Sequence, residues 1–420
     1  MTDRPAALAG VTVLDLATFL AAPVCATLLG EFGAEVIKVE QPGVGDDLRR
    51  LGRRAEAVSG EPPSGMGVEA ATPLDPPSYW WLVEARNKKS ITCNLRDPEG
   101  QALIRRLVAQ TAIVAENFRP GTLERWNLGW DVLAAVRPSL VMVRVSAYGQ
   151  TGPYRDRPGF GRIAGAVGGL SYLSGYPDRP PVSPGTPTVP DYLAGIFASV
   201  GALVALRHAE RTGQGQVVDV GLYEPVLRIL DDAIAVYGGT GHVRERMGSG
   251  TESAVPHNHY RARDGRFIAI ACTNDRMFAR LLKALGRGDL NGDPRMATTA
   301  ARLAHRAEVD TLVADWVAAR DPDAVLAALT AEEVPSSLVM SVRDLFDDPQ
   351  VRDRGNILSL VTPLVGALAM PGVVPRLTET PGAVRHPGPG RPGQDNEEIY
   401  GSRLGLSSTE LARLRERKVI

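Results

Sequence analysis

The chain has 420 residues and a formal net charge of −1, with 44% hydrophobic and 23% charged residues. A single hydrophobic core seldom grows beyond about 250–300 residues, so this length suits two domains. The near-zero charge gives no overall attraction to nucleic acid or to an anionic membrane. Because the start, MTDRPAALAG, has no apolar signal region and no apolar run approaches a membrane span, we expect a cytoplasmic protein without nucleic-acid or membrane partners.

Cysteine usage argues against a metal centre. The sequence has three cysteines, Cys25, Cys93 and Cys272, each inside an apolar segment and far from the others. They form no CxxC or CxH pair, so we expect neither a metal site nor a disulfide framework.

The N-terminal region predicts a strand, a helix and a strand, at 11–16, 22–32 and 35–39. Three such elements in about 30 residues form a βαβ unit with a parallel, right-handed crossover. The turn after the first strand lacks the GxGxxG glycines that let a backbone approach a pyrophosphate. This absence argues against NAD or FAD here, and we expect no permanently bound cofactor.

Further strands alternate with helices as far as residue 220, which predicts an open parallel sheet in an α/β fold. The strands are expected at 90–95, 112–116, 140–145 and 216–220, and the helices between them at 102–110 and 130–136.

The pattern changes after residue 220. A helix is expected at 224–236, then a linker at 238–256, and a hairpin at 259–271 around Asp264-Gly265. We place a smaller α+β domain at 227–328, between two parts of a large domain at 1–226 and 329–420.

The stretch from Pro184 to Gly221 carries one acidic residue, Asp191, directly before a long apolar run. Apolar residues at three- and four-residue steps predict a helix with a wide buried face, formed by Leu193, Ile196, Phe197, Val200, Leu203, Val204 and Leu206. Asp is among the best helix N-caps. A carboxylate kept ionised at a helix N-terminus could equally attack an acyl carbonyl as a nucleophile.

Polar residues cluster around three predicted strands. Asn117, Phe118 and Arg119 follow the strand at 112–116, with Arg125 a turn beyond. Tyr148 and Gly149 follow the strand at 140–145, and Lys88 lies just before the strand at 90–95. Ligands of open α/β sheets bind outside the carboxyl ends of the strands. An aromatic ring between an amide and guanidinium groups suits an adenine flanked by phosphates. The alternative is that Phe118 is a core residue and the basic side chains are solvated.

Taken together, several segments resemble the class III CoA-transferase family, which includes carnitine and formyl-CoA transferases and the 2-methylacyl-CoA racemases. They are residues 8–50, 86–100, 114–126, 146–153, 190–206, 211–226 and 334–355, and the tail PGQDNEEIYGSRLGLS. The resemblance implies a Rossmann-like large domain built from both chain ends, with a small domain between them. It also implies a homodimer of two protomers threaded through each other as interlocked rings.

The resemblance further implies that Asp191 is a nucleophile, and that the substrates are an acyl-CoA and a small carboxylic acid. Coenzyme A would then be bound by Lys88, Asn117, Phe118, Arg119, Arg125, Tyr148 and Gly149.

Departures from the family narrow the expected activity. Phe160 stands where racemases have a histidine that moves a proton, and segment 248–256 replaces the glycine run of formyl-CoA transferase. Residues 255–278 resemble the branch that passes CoA from succinyl-CoA to other dicarboxylic acids. The remote carboxylate of such an acid needs a cation, for which the candidates are Arg49, Arg50, Arg162 and His257. The alternatives are a racemase or isomerase of the same fold, and a non-catalytic CoA-binding protein.

Overall fold

The computed structural model describes residues 5–56 and 76–420. It contains two compact units. The large unit comprises the chain up to Leu170, Ser183–Asp232 and Arg352–Ile420, and the small unit comprises Ser171–Val182 and Ala233–Val351.

The large unit is built on six parallel strands in the order β3-β2-β1-β4-β5-β6. The strands are β1 (Thr12–Asp15), β2 (Glu35–Glu40), β3 (Lys88–Thr92), β4 (Ile113–Glu116), β5 (Val141–Ser146) and β6 (Gln216–Gly221). This confirms the predicted open parallel sheet. The strand order reverses between β1 and β4, and the crevice at such a switch point is where α/β sheets bind ligands.

Helices cover both faces of this sheet. They are α1 (Ala21–Glu31), α2 (Tyr79–Glu84), α3 (Pro98–Val108), α4 (Thr122–Arg125), α5 (Trp130–Val136), α6 (Gly161–Val167), α8 (Val189–Thr212) and α9 (Tyr223–Arg228), whereas the short α7 (Leu170–Leu173) belongs to the small unit from Ser171 onward. Because strand side chains alternate between faces, Val13 packs in one core with α1 and α8, whereas Leu14 packs in the other with α3 and α5.

The predicted buried face of α8 is wrong for five of its seven residues, while Leu206 is buried as expected. Ile196, Phe197, Val200, Leu203 and Val204 are between 40% and 65% exposed, whereas the small residues of α8, such as Ala194, Ala198 and Ala202, are fully buried. The reason is close packing on α1, since a Cβ added at Gly195 would lie 2.7 Å from the Cβ of Val24. Small residues let the backbones approach, and the large side chains are left outside.

Within residues 5–56 and 76–420, α8 is the one helix long and apolar enough to cross a membrane. About 44% of its apolar stretch is nevertheless buried in the protein, as in the core helix of a globular domain.

The small unit has a three-stranded antiparallel sheet, β7 (His257–Arg261), β8 (Phe267–Ala271) and β9 (Ser336–Leu338). Its helices are α10 (Ala233–Thr240), α11 (Asp275–Ala284), α12 (Thr299–Ala304), α13 (Arg306–Ala318), α14 (Pro322–Ala331) and α15 (Val342–Asp347). Tyr260, Ile268 and Ile270 of the sheet pack with α11, α13 and α14 in one core. The predicted hairpin is confirmed, with Gly265 in the left-handed conformation at φ +90°.

Two sequence boundaries need correction. The helix expected at 224–236 is two helices, α9 and α10, separated by a break in which Asp231 has φ 51°. The small unit ends at Val351 instead of 328, because β9 pairs with β8 and keeps this segment in the small unit.

The rest of the chain completes the large unit. After α16 (Pro349–Asp353), a hairpin forms from β10 (Ile357–Thr362) and β11 (Gly366–Pro371), and the chain ends with α17 (Ser408–Glu416). Leu411 and Leu414 of α17 are buried in the core that contains α3 and α5.

Candidate active site

The turn between β1 and α1 is held by buried charges beneath it. The backbone N–H of Phe19 donates to Asp46 Oδ1 at 3.2 Å, and Lys38 Nζ lies 2.9 Å from Asp46 Oδ2 while donating to the Ala17 carbonyl. Burial alone would raise the pKa of Asp46, but the Lys38 ammonium holds it below its ordinary value. Phe19 is thereby fixed at φ 61°, a conformation that a bulky residue adopts only when its surroundings impose it.

Asn117 joins this turn to the end of β4. Its Oδ1 accepts from the Thr18 N–H at 2.8 Å, and its Nδ2 donates to the Thr18 carbonyl at 2.7 Å. The oxygen and the nitrogen of the side-chain amide therefore both bond to the backbone of Thr18. Through these bonds, Asn117 shapes the crevice at this switch point.

Phe118 separates two clefts beside this turn. One, of about 150 Å³, includes Asn94, Arg96 and Trp126, and the other, of about 130 Å³, includes Arg119 and Phe160. The Phe118 ring makes an edge contact with Trp126 at 5.1 Å between centroids. Phe118 is half-buried, packs against the core on one side and borders both clefts on the other. Stacking of its ring on a planar ligand group stays a prediction.

The other residues predicted to bind CoA are spread over three places. Arg119 is exposed in the second cleft, and Arg125 is exposed on α4, where it donates to Thr122 Oγ1 at 3.0 Å. Tyr148 and Gly149 follow β5, where the Tyr148 ring contacts Tyr154 at 5.7 Å between centroids. The structure thus brings Asn117, Phe118 and Arg119 to one crevice. A role in CoA binding stays a prediction for each of them.

Lys88 has a different environment from the one expected of a ligand contact. It is 2% exposed. Its Nζ lies 2.9 Å from Asp15 Oδ2 and donates to the Pro23 carbonyl at 2.7 Å. Burial lowers the pKa of Lys88, and Asp15 opposes that effect by stabilising the charged form. These contacts give Lys88 a structural part, tying β3 to β1 and to the start of α1.

Lys88→Met is therefore expected to destabilise the protein by about 3–5 kcal/mol, because it removes the nearest partner of the buried Asp15. Chemical denaturation measures the change. Lys89→Met is the matched control at the neighbouring position. The Lys89 ammonium pairs with Glu35 and Glu398 near the surface, where losing an ion pair lowers the stability by about 1 kcal/mol or less. Unchanged stability with weakened CoA binding in Lys88→Met would instead support the predicted ligand contact.

The four cations suggested for a remote carboxylate are placed unequally. The Arg49 guanidinium is buried, bonded to both Glu40 oxygens at 2.6 and 2.7 Å and stacked 4.0 Å from the Trp81 ring centroid, so it is already occupied. Arg50 is engaged with Asp47 and the Val44 carbonyl. Arg162 is exposed on α6, within 3.4 Å of Ser183 Oγ. His257 begins β7 in the small unit. Of the three arginines, Arg162 is the least committed to other partners.

Asp191 lies in the first turn of α8 and is not its cap. The N-cap residue is Thr188, whose side chain makes no capping bond. The Asp191 carboxylate instead faces Gly161 at the start of α6, where an added Cβ would lie 2.0 Å from Asp191 Oδ2 and 2.8 Å from the Pro187 carbonyl. Only glycine fits at this contact. It leaves the carboxylate against backbone, at the junction of α6 and α8.

Burial raises the pKa of Asp191 to about 6, and a hydrogen bond from its own backbone N–H opposes the rise. In the described chain no cation forms an ion pair with it. The sequence suggested an ordinary acidity, which burial overrides. The carboxylate is still mostly ionised at neutral pH, and its weak solvation makes it a better nucleophile than an exposed one. Nowhere in residues 5–56 and 76–420 do three His, Cys, Asp or Glu side chains approach closely enough to hold a metal ion.

Phe160 connects the crevice to Asp191. It precedes Gly161, is 72% exposed, and lines the same cleft as Asn117 and Arg119. Its ring meets Phe19 edge-on at 6.5 Å between centroids. The cleft is therefore bordered by the residue next to Gly161, which the Asp191 carboxylate contacts, and the phenyl ring there offers no proton to exchange.

A second group of side chains fixes the first turn of α8 and was missed from the sequence. Trp80 Nε1 donates to the Tyr192 hydroxyl at 3.0 Å, and that hydroxyl donates to Glu84 Oε1 at 2.9 Å. Burial raises the pKa of Glu84. Tyr192 follows Asp191 directly, so these bonds anchor the helical turn of Asp191 to α2. No sequence signal links residues 80, 84 and 192, because the contact exists only in the folded chain.

The chain is similar to known proteins both in sequence and in fold. The sequence model of "CoA-transferase family III" matches residues 8–396. The chain is 45% identical to the beta subunit of succinyl-CoA–L-malate CoA-transferase from Chloroflexus aurantiacus, over 98% of each chain. It is 46% identical to succinyl-CoA–D-citramalate CoA-transferase of the same organism, over 99% of this chain and 98% of that one. A crystal structure of a CAIB/BAIF family protein from Brucella suis superposes with a TM-score of 0.81 at 31% identity, covering 95% of this chain and 100% of that one.

Proposed function

Since the chain belongs to CoA-transferase family III, we propose that this CoA-transferase moves CoA from succinyl-CoA to a second dicarboxylic acid. Relatives at 45–46% identity carry out such transfers to malate and citramalate. The observation that carries the proposal within this chain is the Asp191 carboxylate, half-buried against Gly161, which directly follows Phe160 of the cleft that Asn117, Phe118 and Arg119 also line.

The proposed chemistry uses Asp191 as a covalent nucleophile. An Asp191 oxygen attacks the carbonyl carbon of succinyl-CoA, the C–S bond breaks, and an anhydride and CoA thiolate form. The thiolate then attacks the aspartyl carbonyl, which releases succinate and leaves an aspartyl-CoA thioester. The acceptor carboxylate attacks that thioester, whose C–S bond breaks, giving a second anhydride and CoA thiolate again. The thiolate finally attacks the acceptor carbonyl, which frees the new acyl-CoA and Asp191. Every intermediate is an activated acyl group, so ATP has no role.

A panel of acids tests this proposal. Purified enzyme is incubated with succinyl-CoA and each of malate, citramalate, glutarate and acetate, and new thioesters are measured by liquid chromatography. We expect transfer to at least one dicarboxylate and little to acetate. Transfer to none of the acids would sink the proposal. Exchange of the 2-hydrogen of a 2-methylacyl-CoA without transfer would favour a racemase, against which Phe160 argues.

The rate of transfer is expected to depend on the ionisation of Asp191. With its pKa raised to about 6 by burial, the nucleophilic carboxylate is mostly present above that pH and is lost below it. The kcat/KM for succinyl-CoA, which reports the free enzyme, should therefore fall about tenfold per pH unit below pH 6 and be level near pH 8. Initial rates between pH 4.5 and 8.5 measure this. A rate that stays level down to pH 4.5 would contradict a half-buried carboxylate nucleophile.

We also propose that the enzyme works in the cytoplasm as a homodimer, with the exposed side of α8 in the interface. Five large apolar side chains on this side lie between Ile196 and Val204 and are each at least 40% exposed. Such a patch on a monomer marks an interaction site. We propose a second copy of the chain as the partner, because the resemblance to the family implies a dimer of interlocked protomers.

Val200→Glu is expected to weaken this dimer, because a buried carboxylate without a partner is costly in an apolar interface. Light scattering should show a shift toward the 44.9 kDa single chain. Val361→Glu is the matched control, since Val361 is 88% exposed on β10, outside the α8 patch, and should leave the mass unchanged. A wild-type protein that is monomeric at micromolar concentration would overturn the proposal.

A further inference from the structure

We propose that the small unit carries an oxyanion-binding site of its own, formed by His257 and His259 on the open face of its sheet. The site binds a carboxylate or phosphate group of a substrate. This inference extends the proposed function, because both an acyl-CoA and a dicarboxylic acid carry such groups.

Strand register brings the two imidazoles to one face. His257 pairs with Ala271 and His259 with Ala269 between β7 and β8, and Ala269 pairs with Ser337 of β9. Paired residues point to the same side of a sheet. The opposite side is the core, where Tyr260, Ile268 and Ile270 are buried. The histidines therefore stand on the outward side.

The alanines form a low floor beside the imidazoles. A cleft of about 330 Å³ lies here, bounded by both histidines, the alanine floor, Ser249 and Ser337. Larger side chains at 269 and 271 would fill this space. The volume suits a small acid or one phosphate group of a larger ligand.

The available donors favour an anion. Neither the His257 nor the His259 ring makes a hydrogen bond within the described residues. The Oδ1 of Asn258 accepts from the Ser249 hydroxyl and from the backbone N–H of His259, the latter at 2.9 Å, which holds residue 249 against β7. No Asp or Glu is among the described residues that line the cleft. Imidazole N–H groups without a nearby carboxylate are suited to bind oxygen anions.

The ring signals of the six histidines test binding without any assay of transfer. Carbon–proton NMR spectra of the full chain are assigned by single His→Gln variants and followed on titration with succinate and, separately, with CoA. We expect the His257 and His259 signals to move together, and those of His208 and His242 to stay. A response to succinate assigns the site to the acid, and a response to CoA assigns it to a phosphate. If neither anion moves either signal, the proposal is wrong.

Steady-state kinetics of CoA transfer then test which substrate the site binds during the reaction. If it holds the acid, the double variant His257→Gln with His259→Gln should raise the KM for a dicarboxylate roughly 10- to 100-fold with a smaller change in kcat. His242→Gln, whose ring lies by Glu252, is the control and should match the wild type. Failure of the proposed function would appear as absent transfer with intact binding shifts. An unaltered KM for both donor and acceptor, together with unmoved imidazole signals, would overturn the site itself.

Discussion

Replacement of Asp191 by Asn is expected to abolish CoA transfer and to make the protein more stable at neutral pH. The amide cannot form the anhydride, so kcat should fall by on the order of 10⁴–10⁶-fold, as when other covalent nucleophiles are removed. The stability gain follows from burial, which raises the pKa of the carboxyl from 3.8 to about 6 and so disfavours the charged form in the folded state. A shift of this size corresponds to at most about 3 kcal/mol.

The sign of the stability effect can be tested with pH. A carboxyl with a raised folded-state pKa contributes its stability below the unfolded pKa and loses it as pH rises through about 6. Asp191→Asn should therefore unfold at a higher temperature than the wild type at pH 8, with the difference shrinking toward pH 4. If Asp191→Asn transferred CoA at a rate near that of the wild type, Asp191 would not be the nucleophile. Lower stability than the wild type at pH 8 would contradict the burial argument.

Gly161→Ala is expected to lower kcat about 100-fold with little change in the KM for the acyl-CoA. The new methyl group would lie 2.0 Å from Asp191 Oδ2, so the carboxylate must move, and displacement of a reacting group by about 1 Å costs roughly that factor. Ala favours a helix over Gly by about 1 kcal/mol. A loss of activity would therefore not result from a weakened α6.

Gly238→Ala provides the matched control for this variant. Gly238 is also helical, in α10, and an added Cβ there meets no atom within 4 Å. Its kinetics should equal those of the wild type. Wild-type kcat in Gly161→Ala would mean that the carboxylate does not react from the position seen beside α6, and the route past Phe160 would have to be abandoned.

The sheet and the helix that carries Asp191 could be predicted from sequence because short-range patterns determine them. Apolar runs spaced by helical segments indicate β1, β2, β4, β5 and β6, and all five occur within a residue or two of the expected bounds. The end of α8 was equally clear, since Gly213 takes the left-handed conformation that stops a helix. In each case the local preference and the tertiary structure agree.

Features set by tertiary packing could not be read in this way. Helical periodicity identifies the apolar positions of α8 but not which of them face the core. In the structure the small residues face the core, because α1 packs closely against α8. The basic residues Lys88 and Arg49 suggested ligand contacts, yet each is taken up by a buried carboxylate, Asp15 or Glu40. Charge in a sequence does not reveal whether its partner is internal.

The contact between Gly161 and Asp191 joins residues 30 positions apart, so no sequence window contains both. Nothing in the local sequence distinguishes Gly161 from an ordinary loop glycine. Its meaning appears only when α6 and α8 meet, where a side chain at 161 would displace the carboxylate. The anchoring of Tyr192 by Trp80 and Glu84 is similarly invisible, because these residues lie on separate helices.

Chemical trapping of Asp191 tests the central claim most directly. The enzyme is mixed with succinyl-CoA, quenched with hydroxylamine, digested and analysed by mass spectrometry, with free succinate in place of succinyl-CoA as the control. We predict a hydroxamate on the peptide containing Asp191, formed only with succinyl-CoA and absent from Asp191→Asn. Active transfer with Asp191 unmodified throughout would contradict the covalent mechanism.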